Sequence, residues 1–174
     1  NRGACAQFCR LPFDLVDADG NVIVKEKHLL SLKDMNRSDY LEEMLDAGVT
    51  SLKIEGRLKD ESYVKNITAY YRARFKRRKE YVRASYGKTS PQFVPSPEKS
   101  FSRGFTDYML KRGKEDIASF DTPKSMGERM GRVKFVSRNF FTFDGKDFNN
   151  GDGACFIASN GKLCGFRINR VDGN

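Results

Sequence analysis

Cys5 and Cys9 are the side chains here whose type and spacing most directly suggest chemistry. They lie four apart, behind Gly3 and between Arg2 and Arg10. The thiolate is the form that binds metal, and neighbouring guanidinium groups favour it. Two thiolates at this spacing can hold two corners of a zinc or iron–sulfur site, but such sites normally take four ligands. The remaining cysteines, Cys155 and Cys164, lie far along the chain. On spacing alone, two lone cysteines are more often structural or free thiols.

A second constellation is Lys53, Glu55 and Arg57, where an apolar run ends abruptly in charge. In a parallel α/β architecture the carboxyl ends of strands face the active site. Glu55 is suited to accept a proton or bind a hydroxyl, and Arg57 to hold a phosphate or carboxylate bidentately. The plain alternative is an ion pair that ends the strand.

A third is basic. Arg72, Arg74, Lys76, Arg77, Arg78, Lys79 and Arg83 place seven cations in twelve positions. Such a cluster can neutralise several phosphates of a nucleic acid. Cations at a helix carboxyl end also complement the macrodipole on a solvated face. Tyr70, Tyr71, Phe75 and Tyr81 are interleaved and can stack on bases, although at helical spacing some must be core. The formal net charge of +9 suits a polyanionic partner.

Hydrolytic machinery is missing from the sequence. His28 is the single histidine, so a nucleophile–histidine arrangement has one possible base, and a surface or hydrogen-bonded role suits it better. There is no His-Glu-x-x-His motif, no Gly-x-Ser-x-Gly elbow and no phosphate-binding glycine loop. No apolar run reaches membrane-spanning length. Four cysteines are too few for a disulfide framework, and a reducing, cytoplasmic setting fits them best.

These side chains need elements to position them. Phe13–Val16 and Val22–Val24 flank Asp17-Ala18-Asp19-Gly20-Asn21, a strand–turn–strand signal. A helix is expected from about Asp39, capped by Asn36 or Ser38, with Leu41, Met44 and Leu45 as its stripe and Gly48 at its end. Val49–Ile54 reads as a strand. Asp60 can cap a longer helix that buries Val64, Ile67, Tyr71 and Phe75. This alternation predicts parallel βαβ construction, and two such units cannot bury both faces of a parallel sheet.

Residues 85–100, with Pro91, Pro95 and Pro97, read as a linker. Beyond it, short strands at Val133–Val136, Phe140–Phe143, Cys155–Ala158 and Leu163–Ile168 predict a small antiparallel β-barrel. Phe135, Phe143, Phe156, Ile157 and Ile168 are its candidate core. A hairpin turn at Ser159–Lys162 would set Cys155 opposite Phe166 and Cys164 opposite Ile157. Both thiols would then be buried diagonal neighbours on one face.

The segment Asn1-Arg2-Gly3-Ala4-Cys5-Ala6-Gln7-Phe8-Cys9-Arg10, followed by Lys53-Ile54-Glu55-Gly56-Arg57, resembles the collagenase-like U32 peptidase family. That family carries a second cysteine pair just upstream, so the chain is expected to be a piece of a larger enzyme. The resemblance implies that residues 1–84 close a TIM-type barrel, that 85–100 link, and that 101–174 form a translation-factor-like β-barrel after Arg103-Gly104-Phe105-Thr106. The expected fold class is therefore α+β, two βα units from a truncated TIM-type barrel followed by a small antiparallel β-barrel.

The same resemblance implies that Cys5 and Cys9 ligate an iron–sulfur cluster, with two further ligands outside this chain. Some relatives are named peptidases. Others hydroxylate a pyrimidine in transfer or ribosomal RNA with an iron–sulfur cluster and prephenate. The basic charge, the cysteines and the missing protease machinery favour the RNA branch, with Lys53, Glu55 and Arg57 as its catalytic candidates. Arg72, Arg74, Lys76, Arg77 and Arg78 are the candidate RNA contacts. The alternatives are a collagenase-like peptidase, or a non-catalytic binding module. An exposed parallel edge would invite a homodimer or swapped assembly.

Overall fold

A computed structural model describes residues 5–75, 86–111 and 116–172. In chain order its strands and α-helices are β1 (Phe13–Val16), β2 (Val22–Lys27), β3 (Asp34–Met35), α1 (Leu41–Asp46), α2 (Glu61–Phe75), β4 (Phe105–Thr106), β5 (Gly131–Val136), β6 (Phe141–Gly145), β7 (Gly153–Ile157) and β8 (Leu163–Arg167). The fold is mixed α+β, with few helices and four two-stranded sheets among the described residues. No closed barrel is present among the described residues. The chain divides into two compact units, one from residues 1–31 with 119–174 and one from residues 32–118. The unit edges do not fall within 85–100, and the amino-terminal hairpin shares a unit with the carboxyl-terminal ones.

The first unit is built from antiparallel hairpins. Asp17 makes the β1–β2 turn: its carboxylate accepts the Asp19 and Asn21 amides at 3.0 and 2.8 Å and the Asn21 side chain at 3.0 Å. These bonds, the Asn21 side chain foremost, hold the Asp17 carboxyl below its ordinary value. In β7–β8 the turn differs from expectation. Ala158 pairs with Lys162 through a 2.9 Å bond, leaving a three-residue loop with Gly161 at φ 76°. Cys155 is therefore opposite Gly165, and Cys164 opposite Phe156. The one-residue slip puts the two thiols on opposite faces. Nor are they a buried pair: Cys155 is exposed and Cys164 half-buried.

The expected barrel core is formed in part: Phe143 is half-buried, and the Phe141 and Phe166 rings meet at 5.8 Å across the β5–β6 and β7–β8 hairpins. Ile168 is buried, but Phe135 and Phe156 remain 56% and 53% exposed. Paired hairpins that do not close leave one face of each ribbon open.

The second unit holds the helices. Asn36 accepts the Ser38 amide at 3.1 Å, starting a 3-10 turn, Ser38–Tyr40, that runs into α1. Leu41 is buried; Met44 and Leu45 are half-buried. Gly48, at φ 91°, ends the helix, its amide donating to Leu45 and the Val49 amide to Met44, both at 3.0 Å. Asp60 caps α2 by accepting the Tyr63 amide at 2.7 Å. Of its expected buried side, Ile67 is buried, Tyr71 and Phe75 are half-buried, and Val64 is exposed.

Val49–Ile54 forms no strand, because no neighbour pairs with it among the described residues. The only parallel ladder described joins β3 to β4, Asp34 opposite Phe105 and Met35 opposite Thr106. Part of the expected linker is packed instead: Asn66 of α2 donates to the Ser96 carbonyl at 2.5 Å and accepts the Ser96 amide at 2.9 Å. A buried amide satisfied on both sides fixes that segment on the helix.

Candidate functional site

The cysteine turn belongs to the first unit. Cys9 sits in a 3-10 turn, Phe8–Arg10, closed by the Arg10 amide on the Gln7 carbonyl at 2.8 Å. Gln7 precedes it at φ 54°, ψ 34°, a left-handed conformation that costs energy for a residue with a Cβ. No residue of the turn is buried. Two side chains beyond β2's body hold it. His28 Nδ1 donates to the Arg10 carbonyl at 2.9 Å, and the Arg10 guanidinium donates to Ser31 Oγ at 2.9 Å. A carbonyl only accepts, so the His28 proton is on Nδ1.

Cys5 and Cys9 are both exposed free thiols. Soft donors on a surface turn suit an iron–sulfur cluster, as half of its ligand set. No group of three or more His, Cys, Asp or Glu side chains converges among the described residues. The remaining ligands would come from elsewhere.

The Lys53–Arg57 segment is a loop of the second unit. Lys53 and Glu55 pair at 3.2 Å, with side chains 84% and 66% exposed. Glu55 also accepts the Arg57 amide at 3.1 Å. That amide first, and Lys53 second, hold its carboxyl below the ordinary value of 4.5. Glu55 is thus an anion at neutral pH, able to accept a hydrogen bond. Tyr63 of α2 donates its hydroxyl to the Glu55 carbonyl at 3.3 Å. Burial, and secondarily the Asp34 charge, raises the Tyr63 phenol above its ordinary value.

The basic cluster is described only in part. Lys76, Arg77, Arg78, Lys79 and Arg83 lie outside the described residues. Arg72 is half-buried at the end of α2. Arg74 is engaged: it pairs with Asp39 at 2.9 Å, donates to the Tyr70 hydroxyl, and its guanidinium lies 4.3 Å from the Tyr70 ring centre. Tyr71 donates to Asn36 at 2.9 Å. Both tyrosines therefore pack the helix against residues 36–40, which leaves their rings less available for bases.

Sequence reasoning missed Asp34. Its carboxylate receives the Arg103 amide at 2.8 Å and two guanidinium nitrogens at 3.3 and 2.5 Å, joining β3 to β4. The Phe101 ring lies beneath Lys59 and Arg103, at 2.9 and 5.2 Å. Arg103 was visible in the Arg-Gly-Phe-Thr segment; its partner, 69 residues away, carries no local signal.

Comparisons with known proteins bear out the family resemblance. The profile of peptidase family U32 matches residues 1–119. The chain is 47% identical to the 23S rRNA 5-hydroxycytidine C2501 synthase of Escherichia coli, over 99% of this chain and 27% of that protein. It is 32% identical to tRNA hydroxylation protein P of Helicobacter pylori, over 85% of this chain and 36% of that protein. It is also 32% identical to a collagenase of Porphyromonas gingivalis, over 62% of this chain and 29% of that protein. No solved structure matches. The chain thus spans about a third or less of these relatives. The 99% and 85% alignments extend beyond the family region into the β5–β8 hairpins. No helix among the described residues is long and apolar enough to cross a membrane. The chain belongs to peptidase family U32.

Proposed function

We propose that this chain is part of an enzyme that hydroxylates a pyrimidine in RNA. The likeness to an rRNA hydroxycytidine synthase along 99% of the chain carries that reading. In it, Cys5 and Cys9 supply two thiolates to an iron–sulfur cluster whose other ligands lie outside this chain. The cluster, when bound, supplies redox chemistry that side chains cannot. Glu55 accepts a proton or hydroxyl contact, Lys53 holds Glu55 ionised, and Arg57 receives a phosphate or carboxylate. Arg72, with Lys76, Arg77 and Arg78, contributes phosphate contacts. In the whole protein, Val49–Ile54 becomes a strand of a TIM-type barrel once a neighbour pairs with it, and the β5–β8 hairpins become part of a small barrel. A reducing, cytoplasmic setting suits four free thiols.

The direct test is to delete the gene, restore it with wild type or Cys9→Ser, and measure hydroxylated pyrimidines in rRNA and tRNA by mass spectrometry. Restoration by wild type alone supports the reading. Unchanged RNA after deletion contradicts it. A peptidase reading rests on the collagenase likeness. It predicts cleavage of collagen peptides by the whole protein, lost with Glu55→Gln.

A further inference from the structure

We infer that His28 and Ser31 are positioning residues that fix the Cys9 turn in ligand-presenting geometry. This rests on the cluster reading above, but concerns side chains that do not themselves ligate. A turn with a left-handed Gln7 and no buried residue has little intrinsic reason to persist. It persists because Arg10, next to Cys9, is held at both ends. Its carbonyl accepts His28 Nδ1 and its guanidinium reaches Ser31 Oγ, each at 2.9 Å.

The clamp is itself anchored. Ser31 is 0% exposed. Its amide donates to the His28 carbonyl at 2.9 Å, and its carbonyl accepts the Ser119 amide at 2.6 Å. The His28 amide donates to the Phe120 carbonyl at 3.0 Å. The two residues that hold Arg10 are therefore themselves fixed to residues 119–120 through their backbones. Partners one layer out from a ligand orient it, and removing them weakens metal binding by about 10- to 100-fold. Cys5 lies outside the turn, with no such clamp among the described residues, so the two thiols should respond differently.

The test uses the whole protein as His28→Ala, His28→Asn and Ser31→Ala, after anaerobic reconstitution with iron and sulfide. Iron per chain, the rate of cluster loss to a chelator, and iodoacetamide alkylation of Cys9 and Cys5 in metal-free protein are measured. His28→Ala should lose its cluster about tenfold faster than wild type. His28→Asn, which keeps a side-chain N–H near the Nδ1 position, should restore most of the difference. Alkylation of Cys9 should accelerate in His28→Ala and Ser31→Ala while Cys5 is unchanged. Equal loss rates and equal alkylation would overturn the inference. A wild type that holds no iron sinks the cluster reading instead, and the alkylation contrast still decides the clamp. Should His28→Ala fail to fold, Ser31→Ala against wild type decides it by the same readouts.

Discussion

The Phe8–Arg10 turn and the Lys53–Arg57 loop are both short, exposed and rich in reactive side chains, yet they are held in different ways. The first is fixed by His28 and Ser31, side chains 18 and 21 residues from Arg10. In the second, Lys53 pairs with Glu55, Glu55 accepts the Arg57 amide, and the Tyr63 hydroxyl reaches the Glu55 carbonyl from eight residues away. In the ligand role proposed for it, Cys9 would have to be presented before metal arrives, which requires preorganisation. An anion-and-cation loop can be completed by the substrate or by a strand neighbour. The contrast is between a turn tied to side chains distant in sequence and a loop in which Glu55 is gripped mainly by its own neighbours.

The largest expected effect is on the first region: Cys5→Ser or Cys9→Ser should abolish the cluster in the whole protein, read as iron per chain. Full iron in the double variant would remove the proposed ligand role. Next is Asp34→Ala, which orphans Arg103 between β3 and β4. Its three hydrogen bonds are part-buried, and the loss should be about 2 kcal/mol by denaturant unfolding. A near-neutral result would mean that the pair does not frame the second unit.

Smaller effects divide the basic helix end. Arg74→Glu breaks the pair with Asp39 and should cost about 1 kcal/mol of stability. Arg72→Glu should leave stability nearly unchanged and flatten the salt dependence of RNA affinity, by about one unit of log–log slope per lost phosphate contact. Equal salt slopes for wild type and Arg72→Glu would leave Arg72 outside the RNA surface. The smallest effect is on the Lys53–Arg57 loop. Folding lowers the Glu55 carboxyl, so its contribution is present above about 4.5 and fades as pH falls through the lowered value. The protection factor of the Arg57 amide, its exchange rate relative to the intrinsic rate at each pH, should fall in that acid window and stay flat above it.

Local chemistry made much of this legible. Asp17 announced its turn, Asp60 its cap and Gly48 its helix end, because each acts within a few residues. Where a contact spans the chain, the sequence was silent: nothing near Asp34 names Arg103, and nothing near His28 names Arg10. The β7–β8 register failed on one residue, since Gly161 allows a three-residue loop where four were expected. Val49–Ile54 has a strand's composition, but a strand exists only with a partner to pair with. Motif residues could be found from type and spacing, whereas what holds them could not.

The most direct test of the central claim is the hydroxypyrimidine content of rRNA and tRNA from a deletion strain carrying the whole protein, either wild type or Cys9→Ser. The account predicts that wild type restores hydroxylation and Cys9→Ser does not. Full hydroxylation with Cys9→Ser, or none lost on deletion, would contradict it.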